Sequence, residues 1–124
     1  MEWHFLSADE PLQDVNAFET AALKKYNVLV EAIPPRYKSC YFLHSMGGSY
    51  AANYYAYIWS EILAADAFDY IMSKGGLNKE NGKIFRKNIL SVGNSRPLMN
   101  SFKSFRGKEP SAYALFIRRG LKTK

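Results

Sequence analysis

Glycine and proline cut this chain into segments so short that helices with brief connections are the natural fold. The breaks are Pro34-Pro35, Gly47-Gly48-Ser49, Gly75-Gly76, the run Gly93-Asn94-Ser95-Arg96-Pro97, and Gly107. Between them apolar residues recur at three- and four-residue spacing, the period of a helix with one buried face. Asp14 is placed to cap a helix carrying Val15, Phe18, Ala22 and Tyr26. Val28-Leu29-Val30 extends that pattern, and Pro34-Pro35 must end it, because proline lacks an amide proton and restricts the residue before it. The segment Arg36–Leu43 then leads into the glycine loop. The longest element is expected from about Tyr50 to Ser73, packing through Trp59, Ile62, Leu63, Phe68 and Ile71 and stopping at Gly75-Gly76. Asn78 caps the next helix, with Ile84, Phe85, Ile89 and Leu90 as its apolar stripe. Leu98, Met99, Phe102 and Phe105 mark a short helix ending at Gly107, and Ser111 opens the last one, with Leu115 and Phe116 inside it. Arg118-Arg119 suits the negative end of that helix dipole. Strand-like alternation and internal repeats are absent, so the expected class is all-α.

A chain of 124 residues with 48% hydrophobic and 15% aromatic content is one globular domain or a piece of one. Cys40 is the only cysteine, which excludes an intrachain disulfide and a cysteine metal cluster. The start, MEWHFLSADE, has neither the basic nor the apolar region of a signal peptide, and no apolar run reaches the length of a membrane span. The expectation is a cytoplasmic protein without a membrane partner. Charge is unevenly distributed. Met1–Ser73 holds four Lys/Arg against nine Asp/Glu, whereas Lys74–Lys124 holds thirteen against two. A basic half can bind nucleic acid, but no nucleic-acid motif accompanies this one. A solvated surface, or a face meeting an acidic neighbour, accounts for it better, and no nucleic-acid partner is expected.

The chemically richest stretch is Phe42–Trp59, FLHSMGGSYAANYYAYIW, in which a glycine loop opens onto Tyr50, Tyr54, Tyr55 and Tyr57 with His44 just upstream. If a helix begins near Tyr50, then at about 100° per residue Tyr50, Tyr54 and Tyr57 share one face. A phenol, with a reference pKa of about 10, donates a hydrogen bond at neutral pH. Two or three such donors on a cleft can grip an extended peptide or stabilise an oxyanion. Spacing alone favours a plainer alternative, tyrosines packed in a core with their hydroxyls at solvent or backbone. His44 is equally open to a structural or a functional reading. Arg96 is placed either to meet a substrate carboxylate or to be simply solvated in its turn.

The strings FLHSMGGSYAANYYAYIWSEILAADAF, GGLNKENGKIFRKNILSVGNSRP and FRGKEPSAYAL resemble the C-terminal part of the thimet oligopeptidase family of zinc metallopeptidases, and most of all its bacterial peptidyl-dipeptidase and oligopeptidase A branch. The pattern H-x5-Y-x3-YY-x-Y-x-W carries most of the specificity, and the resemblance runs from about Glu2 to Leu121. It implies that residues 1–124 form a single helical segment, the C-terminal portion of a larger, mostly helical catalytic domain that hydrolyses short peptides. It further implies that Tyr50 donates its hydroxyl to the oxyanion, that Tyr57 binds substrate or shares that role, and that His44 contacts the substrate backbone. Gly47 and Gly48 would form a hinge that lets Tyr50 swing in, helped by glycine's access to positive φ. The resemblance assigns Tyr54 no particular role.

One half of the family's chemistry is not written here. Its zinc is held by a His-Glu-x-x-His helix and a further glutamate. This sequence has only His4 and His44, and neither lies in such a string. The expectation is therefore a fragment that supplies the tyrosine loop, binds no zinc by itself and is inactive alone. Its expected partners are short peptides and either an upstream zinc-bearing polypeptide or a second copy of itself. Two other readings stand beside it: a free-standing helical peptide-binding module without catalysis, and a binder of nucleic acid through the basic half. Nothing in the sequence separates dipeptide release from internal cleavage.

Overall fold

The computed structural model describes residues 14–121, and every regular element among them is helical, as expected. In chain order they are α1 (Val15–Lys25), a 3₁₀ turn (Ser39–Tyr41), α2 (Leu43–Met46), α3 (Ala56–Ser73), α4 (Lys79–Phe85) running into a π-helical turn (Arg86–Leu90), α5 (Leu98–Arg106) and α6 (Tyr113–Arg118). The chain divides into two units, the first ending at Ala56 and the second beginning at Tyr57.

In the first unit Asp14 caps α1 as expected, its Oδ1 accepting from the Ala17 N–H at 2.9 Å. The helix does not continue to the prolines. Asn27 takes φ 56, and the bonds Asn27 N→Lys24 O (3.1 Å) and Val28 N→Leu23 O (3.0 Å) close the end in a Schellman arrangement. Asparagine tolerates the left-handed conformation better than most residues, so it stops α1 at Lys25 and leaves Val28, Leu29 and Val30 exposed beyond it. Glu19, on α1, is only 1% exposed. Its Oε2 accepts from both the backbone N–H (2.9 Å) and the hydroxyl (3.0 Å) of Ser39, and Lys38 Nζ lies 3.2 Å from Oε1. One buried carboxylate thereby ties α1 to the 3₁₀ turn ahead of the glycine loop.

The second corrected boundary is the start of α3. Tyr50–Tyr55 run as consecutive tight turns, with Ala51 N→Gly48 O at 3.4 Å, Asn53 N→Tyr50 O at 2.9 Å and Ala56 N→Asn53 O at 3.0 Å. Ala52 sits at φ 57, a conformation that cannot propagate a right-handed helix. The helix opens only at Ala56.

At its other end α3 stops where the glycines require. Gly75 (φ 91) and Gly76 (φ 80) are left-handed, and Gly76 N→Ile71 O at 3.0 Å and Gly75 N→Met72 O at 3.2 Å repeat the Schellman pattern. The Asn81 side-chain amide donates to Gly76 O at 2.7 Å and Lys74 O at 3.0 Å, covering carbonyls the helix end leaves bare. Asn78 caps α4, accepting from the Asn81 N–H at 2.9 Å. The single helix expected from Asn78 through Leu90 widens at Arg86, where Ser91 N bonds Arg86 O at 2.9 Å in the longer π pattern.

The core of the second unit is aromatic. Ala67, Phe102 and Phe105 are buried, with Leu63, Tyr70, Phe85, Ile89 and Met99 packed around them. Phe105 is its centre, edge-on to Tyr70 and to Phe85, each at 5.3 Å between centroids. Asp66 joins three elements from α3. Arg106 Nε donates to its Oδ1 at 2.9 Å and the Ser111 N–H to its Oδ2 at 3.1 Å, while the Arg106 guanidinium lies 4.8 Å from the Tyr70 ring.

Candidate functional site

The residues that could touch a peptide gather around the glycine loop of the first unit. A 3₁₀ turn and the single helical turn α2 bring the chain to Gly47, whose N–H donates to Leu43 O at 2.7 Å. A Cβ at Gly47 would meet the end of the Leu43 side chain and come within 3.1 Å of Leu43 O, so this glycine permits a close approach of loop to helix. Neither Gly47 (φ −106) nor Gly48 uses the positive φ expected of a hinge. Ala52 does instead, three residues beyond Ser49.

Beyond the loop, Tyr50 folds back onto His44, their ring centroids 4.9 Å apart at 68°. Tyr54 stands 5.6 Å from His44 and 6.4 Å from Tyr50, both edge-on, completing a triangle of rings. Phe42 buttresses Tyr54 at 4.9 Å, and Tyr37 stacks on Phe42 at 5.1 Å. A continuous aromatic wall therefore supports His44 and Tyr50, with Tyr50 half-buried and His44 exposed. Beneath it Ser45 is 0% exposed, and its hydroxyl has no hydrogen-bond partner among the described residues.

The structure corrects the shared helical face. Tyr50 and Tyr54 precede α3, whereas Tyr57 lies in its first turn, in the second unit, 48% exposed. The Tyr50–His44 pair is a product of loop packing and not of helical period. Tyr54 is the residue the sequence undervalued: its ring spans His44 and Tyr50, and only its four-residue spacing from Tyr50 hinted at that. Arg96 has an internal task, donating from Nε to Ser101 Oγ at 2.8 Å and from Nη2 to Asn88 O at 3.3 Å. It binds the 93–97 turn to α5 and to the π-helical turn.

Electrostatics in the first unit centre on Glu19. Burial pushes its carboxyl up, but the Ser39 N–H, the Ser39 hydroxyl and Lys38 together outweigh burial and hold it below the ordinary carboxylate value.

The described residues do not fit a zinc ion. No three His, Cys, Asp or Glu side chains among them come together. His44 is the only described histidine, its ring is packed against two tyrosines, and the buried carboxylates Glu19 and Asp66 are already engaged. His4, the other histidine, lies outside the described residues.

The model of Peptidase family M3 matches residues 1–121. The chain belongs to peptidase family M3. This is the thimet oligopeptidase family that the tyrosine motif resembles. The M3 chain is 48% identical over 121 residues to the dipeptidyl carboxypeptidase of Escherichia coli (strain K12), a match covering 98% of this chain and 18% of that enzyme. It is 42% identical over 114 residues to the oligopeptidase A of the same organism, covering 90% of this chain and 17% of the relative. With the probable cytosolic oligopeptidase A of Arabidopsis thaliana it shares 38% identity over 106 residues, covering 79% and 15%. This M3 chain thus spans less than a fifth of the length of these curated relatives. Among the described residues no helix is long and apolar enough to cross a membrane.

Proposed function

We propose that this chain supplies the substrate-binding and oxyanion-stabilising loop of a peptidase that hydrolyses short peptides, with zinc held by an upstream part of the polypeptide. The observation that carries the reading is the packing of Tyr50 against His44 beside the Gly47-Gly48 loop, in a chain that matches a peptidase family over residues 1–121. Tyr50 donates its O–H to the scissile carbonyl oxygen as negative charge builds on it. A donor held in place before the reaction stabilises that charge without reorganising. His44, exposed beside it, contacts the substrate backbone, and Tyr57 grips the peptide from the start of α3. Gly47 and Gly48 let the loop close over substrate. On this reading residues 1–124 are one portion of a catalytic domain, the chain alone binds peptide without turning it over, and the location is cytoplasmic, in line with the relative named probable cytosolic oligopeptidase A.

The experiment is a full-length chimera in which residues 1–121 replace the matching segment of the E. coli dipeptidyl carboxypeptidase. The chimera should cleave peptides, and Tyr50→Phe within it should lower kcat by about 10²–10³ with a much smaller change in KM. A folded, zinc-loaded chimera without activity overturns the reading. An unchanged kcat in the Tyr50→Phe chimera removes Tyr50 from the oxyanion role.

A further inference from the structure

Two stretches of the first unit meet at the Tyr54 ring. Residues 37–44 form the anchored one. The buried Glu19 carboxylate holds Ser39 to α1, and Phe42, directly after the 3₁₀ turn, carries Tyr37 stacked on its ring with 20° between the planes. Residues 50–55 form the other. They run as single turns, and left-handed Ala52 breaks any helical ladder that could set the direction of a side chain there. Tyr54 reaches back from this turning stretch to the anchored one. It stands edge-on to Phe42 at 4.9 Å and to His44 at 5.6 Å, and edge-on to Tyr50 at 6.4 Å. Among the described residues the ring neighbours of Tyr50 are His44 and Tyr54. His44 is exposed, whereas Tyr54 is half-buried and backed by Phe42.

Aromatic rings favour edge-to-face contact over a limited range of mutual directions. A ring that touches both His44 and Tyr50, and is itself backed by Phe42, therefore fixes the two relative to each other and to the anchored stretch. We propose that Tyr54 is a positioning residue, whose ring aims the Tyr50 O–H at the point where the oxyanion forms. The proposal rests on the oxyanion role given to Tyr50 above, and it assigns the work to the Tyr54 ring, not to its hydroxyl. A hydrogen-bond donor stabilises developing charge without reorganisation only if it is already in place. Tyr54 thus acts on the chemical step through Tyr50 and leaves peptide binding to other residues.

Steady-state kinetics of the full-length chimera tests it. Tyr54→Leu should lower kcat by about tenfold or more with a much smaller change in KM, since a misplacement of about 1 Å can cost about 10²-fold in rate. Tyr54→Phe keeps all three ring contacts and should keep most of kcat. In a Tyr50→Phe background there is no phenol left to aim, so Tyr54→Leu should add no loss beyond about twofold. Tyr54→Met, which fills the same space with a flexible chain, should behave as Tyr54→Leu does and covers the case of a leucine variant that does not fold. Equal losses from Tyr54→Leu in the two backgrounds would show a merely structural role and overturn the proposal. A Tyr54→Phe as impaired as Tyr54→Leu overturns it in favour of the hydroxyl, and a Tyr54→Leu with native kcat overturns it outright. An unchanged kcat in Tyr50→Phe alone is a different failure: it removes the oxyanion reading, and this proposal with it.

Discussion

His44 and Tyr50 meet edge to face, 4.9 Å between ring centroids, from opposite sides of the Gly47-Gly48 loop. The direction of the Tyr50 phenol is therefore set by ring packing across the loop and not by a helix beneath it. In the chimeric peptidase His44→Ala should lower kcat, by less than Tyr50→Phe does. The double variant should lose less than the two single losses combined, with a coupling of about 0.5–3 kcal/mol. Steady-state kinetics of the three variants measures it, and strictly additive losses would break the proposed link.

Glu19 makes the first unit acid-sensitive. Its carboxyl is held below the ordinary value of 4.5 in the fold. A depressed folded value means stability that is fully present above the unfolded value and is lost as pH falls through the folded one. The advantage of the native chain over Glu19→Gln in urea unfolding should be constant near neutrality and shrink below about pH 4.5. A difference that grows on acidification would reverse the sign and refute the assignment.

Asp66→Ala leaves Arg106 without its carboxylate and the Ser111 N–H without its acceptor. Removing one partner of a buried pair costs about 3–5 kcal/mol. Arg106 keeps 15% side-chain exposure, which places the expected loss near the lower end. Thermal unfolding followed at 222 nm reads it, and a loss below about 1 kcal/mol would show that the pair is not what joins α3, α5 and Ser111.

Ala52→Gly should stabilise the first unit by up to about 1 kcal/mol, because a left-handed alanine carries a Cβ penalty of that order which glycine escapes. Denaturant unfolding measures the change. Destabilisation would mean that the alanine methyl makes a packing contact worth more than the strain.

What the sequence disclosed and what it withheld follow from the range of the forces involved. The Gly75-Gly76 stop, the Asn78 cap and the Asp14 cap were readable because each acts within four or five residues of its own backbone. The early end of α1 and the late start of α3 were not. They depend on Asn27 and Ala52 taking a left-handed conformation, which a residue with a Cβ adopts only when its surroundings hold it there. Glu19 with Ser39, 20 residues apart, and Asp66 with Ser111, 45 apart, are pairings of distant charge and backbone that no local pattern encodes. For the candidate site, the motif named His44 and Tyr50, but the contact between their rings and the bridging of Tyr54 emerge only from the fold. The family itself was legible from the tyrosine pattern over almost the whole chain.

The corner after α3 also sets how the protein ages. Asn81 is followed by Gly82, the dipeptide in which the next backbone nitrogen most readily attacks the side-chain amide carbon, expelling ammonia and closing a cyclic imide that water opens to a carboxylate. Here the Gly82 N–H is held by Asn78 O at 3.0 Å, so that nitrogen is not free to attack while α4 is intact. Were the reaction to occur, a two-proton donor facing the Gly76 and Lys74 carbonyls would become a carboxylate with nothing to give them. The fold thus guards, by one backbone hydrogen bond, the chemical lifetime of the side chain that closes its longest helix.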